Sequence, residues 1–138
     1  MLNLPFVWKH RVTYSDCTAG NHVYYGRFLD ILEAARGEMF RAGGTTFLEL
    51  QENDTVFPVV ECRLKYKGPA HYDEVLDVAV WLTAAHGVRL EFRYRITGAR
   101  GAAILEGETL HACTTVAGKL KRVPQAITAL LTRETGST

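Results

Sequence analysis

The sequence predicts an α+β fold: one long helix packed on a curved antiparallel sheet of about five strands, in the order βαββββ, with a short C-terminal helix. Three observations carry that expectation. Apolar and polar residues alternate in a first short segment and again in successive segments after Val60, the period of half-exposed strands. One intervening stretch has helical spacing instead. The links from Gly68 onward are short enough for hairpins, so the later strands are antiparallel neighbours and the helix must cover one face of their sheet.

Taken in order, Trp8, His10, Val12 and Tyr14 alternate with Lys9, Arg11 and Thr13, a first strand ending near Tyr14. Ser15 to Gly20 is small and polar and reads as a loop. Phe28, Ile31, Leu32, Ala35 and Met39 then recur at helical spacing, with Arg27, Asp30, Ala34, Gly37, Glu38 and Arg41 opposite. This is an amphipathic helix of about four turns, ended by Gly43-Gly44. A polar connector holds a short helix near residues 47–50. Alternation returns with Val60, Cys62, Leu64 and Tyr66 against Glu61, Arg63, Lys65 and Lys67, closed by Gly68-Pro69. Leu76, Val78, Val80 and Leu82 form a third row. Val88, Leu90, Phe92, Tyr94 and Ile96 form the fourth, against Arg89, Glu91, Arg93, Arg95 and Thr97. Residues 103–116 make a fifth strand whose apolar residues fall on both faces; Gly107 is a candidate bulge and the register stays open. Pro124 opens the terminal helix, with Ile127, Leu130 and Leu131 on one side. The outer face of the sheet carries Arg63, Lys65, Arg89, Arg93 and Arg95, a basic surface for solvent, another subunit or phosphate.

Composition narrows the function classes. The chain has 138 residues and a formal net charge of +1, with 47% hydrophobic and 22% charged residues, as for a single domain spanning 1–138. The three cysteines, Cys17, Cys62 and Cys113, include no C-x-x-C pair, which argues against a disulfide framework or zinc site and for reduced thiols in the cytoplasm. No leader-like segment and no membrane-length apolar run is present, and the near-neutral balance argues against nucleic acid as partner. Neither a cofactor motif nor metal-ligand spacing is found; His71, His86 and His111 stand without matching ligands.

The chemistry concentrates between Tyr14 and Arg36. Asp16, Cys17, Thr18, His22, Tyr24 and Tyr25 crowd a loop that runs straight into a helix N-terminus, where unpaired N–H groups can polarise a carbonyl or hold an oxyanion. A nearby carboxylate could activate water or attack directly, a combination suited to acyl transfer. Glu33 and Phe40 lie within about 20° of each other around the helix, which places Glu33 beside an apolar stripe.

The stretch resembles the 4-hydroxybenzoyl-CoA thioesterase-like branch of the hot dog thioesterases. That branch carries D-T-D-A-x-G-x-V-Y-H-x-x-Y-L followed by E-x-A-R, matched here at Asp16, Ala19, Val23, Tyr24, Leu29, Glu33, Ala35 and Arg36, with Phe28 replacing a tyrosine. Tyr66 to Ala70 with Asp73 resembles its Y-x-x-P-A-x-x-D segment, and Gly118-Lys119 through Val123-Pro124 its G-K-x-x-R-V-P ending. The resemblance implies a hot dog fold, hydrolysis of an acyl-CoA or acyl-carrier-protein thioester without a cofactor, and active sites assembled in a homodimer, often within a homotetramer. Two departures stand out. Thr18 occupies the place of the second, catalytic Asp, and Tyr25 that of the histidine. The enediyne polyketide thioesterases, with E-T-N-x-x-G-N-V-Y-Y, similarly lack that acid.

The expected catalytic set is therefore Asp16, Thr18, His22, Tyr25 and Glu33: Glu33 or Asp16 to activate water, Thr18 to position it, His22 as a further candidate base, and Tyr25 chiefly through its backbone N–H. Tyr24 and Phe28 are expected to line the substrate, and Arg89, Lys119 and Arg122 to bind it, the last two resembling contacts to the nucleotide phosphates of CoA. The alternative is a non-hydrolytic acyl-thioester binder that lost the acid. A hot dog dehydratase fits less well, since Asp16 and His22 have the wrong spacing for its D-x-x-x-x-H motif.

Overall fold

The computed structural model describes residues 4–136, with side chains as far as Leu131; the ends of the expected 1–138 domain lie outside that range. The described chain runs β1 (Phe6–Arg11), α1 (Arg27–Ala42), α2 (Phe47–Glu52), β2 (Val59–Tyr66), β3 (Val75–His86), β4 (Arg89–Thr97), β5 (Ala103–Ala112) and α3 (Gln125–Gly136). The strands form one antiparallel sheet in the order β1-β3-β4-β5-β2.

Alternation sets the core. Leu76, Val78, Val80 and Leu82 of β3 and Leu90, Phe92, Tyr94 and Ile96 of β4 are all buried on the inner face. Against them α1 lays Phe28, Ile31, Leu32, Ala35, Met39 and Phe40, and α3 adds Ile127 and Leu130. Gly43 and Gly44, the latter at φ 100°, end α1; Leu130 packs so close to Gly43 that a Cβ there would collide with it.

Three local expectations change. β1 stops at Arg11; Val12 still bonds the Glu74 carbonyl, but the chain then closes a 3₁₀ turn at Tyr14–Asp16, leaving Tyr14 exposed. β5 stops at Ala112; beyond it Thr114 bridges Val56 and Leu120 singly. Gly107 is no bulge: it pairs in register with both Tyr94 and Leu64, and a Cβ would strike the Leu64 side chain and the Arg63 carbonyl. The irregularity lies between Ile96 and Thr97, which oppose Leu105 and Ala103; Ile104 is the extra residue, so Ile104 and Leu105 are both buried.

Two surfaces also differ from expectation. The outer face is not simply basic, because Glu108 stands between Arg93 and Arg63 and Glu106 between Arg95 and Lys65, so charge alternates across the strands. The apolar row of β2 does not reach the core. α1 packs toward β1 and β3, so at the other edge Val60, Cys62 and Tyr66 stay exposed and Leu64 is only half-buried. No helix among the described residues is long and apolar enough to cross a membrane.

Candidate active site

The loop before α1 is a tight hairpin. Cys17 and Val23 pair as an antiparallel bridge, the Thr18 N–H donates to the His22 carbonyl at 2.9 Å, and Asn21 takes the left-handed turn position at φ 59°. Beyond it the chain enters the helix with two backbone donors unused. Among the described residues, the N–H groups of Tyr25 and Gly26 meet no acceptor. The Tyr25 carbonyl, by contrast, accepts from the Tyr66 hydroxyl at 3.1 Å. Burial raises the pKa of that phenol, which therefore stays a donor. Because the peptide is trans, fixing the carbonyl points the Gly26 N–H the opposite way.

Tyr25 is part of the wall of a cavity of about 350 Å³, with Thr18, His22, Tyr24, Phe28, Tyr66 and the turn at 67–69. Its walls are aromatic: Tyr25 and Phe28 both contact Tyr66, with ring centroids 6.2 and 5.8 Å apart. Thr18 is exposed, and its hydroxyl makes one long bond, 3.4 Å to the His22 carbonyl. The His22 imidazole is likewise exposed and loosely held, 3.4 Å from the Gly20 carbonyl.

Asp16 is engaged on both carboxylate oxygens. It is 2% exposed, with one carboxylate oxygen bound by Arg27 Nε at 2.8 Å and the other by His10 Nε2 at 2.8 Å and the Thr13 N–H at 2.9 Å. Burial alone would raise its pKa; the bonds from Arg27, the Thr13 N–H and His10 outweigh that and hold it at about 2. Such a carboxylate is a weak base with no free face. It ties the loop to β1 and α1, and so positions the hairpin.

Glu33 lies elsewhere. Eight residues after Tyr25, it is roughly 12 Å farther along the helix. It is exposed, its side chain makes no ion pair or hydrogen bond among the described residues, and it lines a second cavity of about 410 Å³ with Arg36, Phe40, Phe47, Phe57, Phe92 and His111. Within one chain, then, the structure groups Thr18, His22, Tyr24, Tyr25 and Phe28 but not Glu33. Arg89, Lys119 and Arg122 are exposed and line neither of these two cavities. Lys121, between the last two, is structural: its ammonium binds the Asn53 and Asp54 carbonyls and Thr55 Oγ1, closing the end of α2.

The polar wall of the second cavity was not foreseen from sequence. Arg36 donates to the Tyr94 hydroxyl at 2.9 Å, Tyr94 and Thr109 hydroxyls are 2.6 Å apart, Thr109 lies 2.8 Å from His111 Nε2, and His111 Nδ1 is 3.0 Å from the Phe57 carbonyl. Burial, helped by Arg36, lowers the His111 pKa to about 4 against the opposing bond to Phe57, so the imidazole is neutral at pH 7. The sequence signal was Thr109 and His111, two polar residues two apart and so on one face of the strand. Among the described residues no three His, Cys, Asp or Glu side chains converge as a metal site would require.

Comparison with known proteins adds three findings. The model of the thioesterase-like superfamily matches residues 12–131. The acyl-CoA thioester hydrolase YbgC of Escherichia coli is 32% identical over 122 residues, 88% of this chain and 89% of that protein; the acyl-CoA thioesterase YbgC of Haemophilus influenzae is 31% identical over 124 residues, 89% and 90% of the two chains. The crystal structure of a 1,4-dihydroxy-2-naphthoyl-CoA thioesterase from Synechocystis superposes with a TM-score of 0.86 at 21% identity, covering 93% of this chain and 96% of that one, a likeness of fold.

Proposed function

The chain belongs to the thioesterase-like superfamily, and on that premise we propose that it hydrolyses acyl-coenzyme A thioesters at sites completed between two copies of itself. It is a thioester hydrolase with a hot dog fold. The observation that carries the mechanism is the pair of unused N–H groups at Tyr25 and Gly26, at a helix entrance where Tyr25 lines a cavity open to solvent. A thioester carbonyl placed there has its developing oxyanion held by two fixed donors at a helix N-terminus.

Water must be activated by a base, and Glu33 is the carboxylate left free to serve. Its own chain holds it too far along α1, so the partner subunit's Glu33 is the one assigned. The exposed β2 favours this pairing. β2 offers an unpaired edge, and with Leu29 and Tyr25 it displays an apolar band through Val59, Val60 and Tyr66. Twofold antiparallel pairing of β2 sets the Tyr66 end of one copy against the Val59 end of the other. The loop cavity of each copy then meets the Glu33 cavity of its partner. Glu33 takes a proton as water adds to the carbonyl carbon; the tetrahedral adduct collapses, the C–S bond breaks, and the proton passes to sulfur, giving free acid and thiol. Thr18 orients the water, and His22 remains at the cavity as a second proton acceptor.

Arg89, Lys119 and Arg122, exposed and without ion pairs among the described residues, are the cations this reading leaves for the phosphates of coenzyme A. The alternating charges of the outer sheet face suit the second interface of a homotetramer. Three free thiols fit the cytoplasm. The test is thiol release from short, long and aromatic acyl-CoA and acyl-carrier-protein esters, beside Val60→Glu. Turnover on CoA esters that Val60→Glu abolishes as it converts dimer to monomer is the expected result; equal turnover by a monomer contradicts the shared site, and saturable binding without turnover on any ester makes the chain a binder.

A further inference from the structure

Arg36 is 8% exposed, yet no carboxylate pairs with it among the described residues. Its company is the Tyr94 hydroxyl and the Phe92 ring, whose centroid lies 5.9 Å from the guanidinium. A buried cation without an anion is costly, and proteins normally pair it or leave it where a ligand will. Tyr94, Cys62 and His111 around it are all neutral. Burial raises the pKa of both the Tyr94 phenol and the Cys62 thiol, and His111 is uncharged at pH 7. Glu33, one turn earlier on α1, is exposed and makes no bond to Arg36.

The hydrogen-bond chain also has one direction. The Phe57 carbonyl can only accept, so His111 Nδ1 carries the proton and Nε2 must accept from Thr109. Thr109 then accepts from Tyr94, and Tyr94 from Arg36. All hydroxyl protons and the imidazole lone pair are thereby committed. What this wall has left to offer is the unused fork of Arg36 N–H groups, donors only, at one side of a cavity of about 410 Å³ that Phe40, Phe47, Phe57 and Phe92 also line, with the exposed Glu33 and Gln51 among its remaining lining.

We propose that this cavity receives the far end of the acyl group and that Arg36 selects acyl groups ending in a carboxylate, so that the preferred substrates are mono-CoA thioesters of dicarboxylic acids. The inference rests on the thioesterase reading and deepens it. A terminal hydroxyl would satisfy a donor but not the charge; a carboxylate does both, in the planar two-bond geometry that a guanidinium matches. The aromatic walls hold the methylene or ring segment between the two ends.

The experiment is calorimetric binding of hydrolysis-resistant thioether analogues of ω-carboxyacyl-CoA with four to ten acyl carbons, each beside the plain acyl analogue of equal length, together with thiol release from the matching esters. Tighter binding of at least one carboxylate-ended analogue by tenfold or more, lost in Arg36→Gln while the plain analogue binds as before, is the expected result. Equal or weaker binding of every carboxylate-ended analogue overturns the inference. The wild-type ratio decides the matter even if Arg36→Gln fails to fold. Because binding is read apart from turnover, an absence of hydrolysis on all esters counts against the thioesterase reading and not against this one.

Discussion

The hairpin before α1 and the cavity midway along it hold the two buried formal charges of the described chain, and they treat them in opposite ways. Asp16 has three donors on its two oxygens; Arg36 has one neutral hydroxyl and an aromatic face. A charge whose partners are complete builds the site's frame. A charge left incomplete beside a cavity is available to a ligand. The same contrast separates the two acids that the sequence offers as bases: Asp16 is spent on structure, whereas Glu33 is free.

Acid should break the two regions apart in two steps. His111 has its folded-state pKa lowered from 6.5 to about 4, so its contribution is complete above pH 6.5 and is lost as pH falls from there to 4, about 3 kcal/mol in all. Asp16, lowered from 3.8 to about 2, contributes fully above pH 4 and loses about 2 kcal/mol between pH 4 and 2. Urea midpoints measured across this range should fall in both windows. His111→Gln should flatten only the upper one, and a single step below pH 4 in the wild type would show that the polar wall is not built as described.

Removing Asp16 should come next in size. Asp16→Ala strips Arg27, His10 and the Thr13 N–H of a shared acceptor; since Arg27 and His10 can partly rehydrate, the expected loss is about 2 kcal/mol by denaturant unfolding, with weaker turnover because the hairpin loosens. Tyr94→Phe cuts the chain of hydrogen bonds between Arg36 and Thr109 without opening a large hole, for about 1 kcal/mol. It should weaken any discrimination between acidic and plain acyl groups more than it weakens overall turnover, a split readable in KM against kcat.

Much of this was legible in the residues, and what was not has physical causes. The rows Leu76 to Leu82 and Leu90 to Ile96 and the helical face from Phe28 to Met39 are buried as their periods require. The β2 row has the same alternation and is not buried, because the pattern records which face is apolar and not whether this chain or another covers it. Gly107 read as a bulge from composition alone; its cause is the passage of Leu64, a contact across strands. In the site, the unused N–H of Tyr25 followed from helix geometry. The engagement of Asp16 by Arg27 and His10 depended on β1 and α1 meeting, and the linking of Arg36 to His111 spans strands far apart in sequence, neither of which local spacing encodes.

The smallest structural effect belongs to the variant that bears most on function. Glu33 is exposed and makes no contact that Gln would lose, so Glu33→Gln should leave the melting temperature and dimerisation where they are. The decisive measurement is single-turnover thiol release from acyl-CoA by that variant beside the wild type. A rate reduced by a hundredfold or more, with substrate binding intact, is what a general base at Glu33 requires; an unchanged rate would contradict the account and return the role of base to the loop.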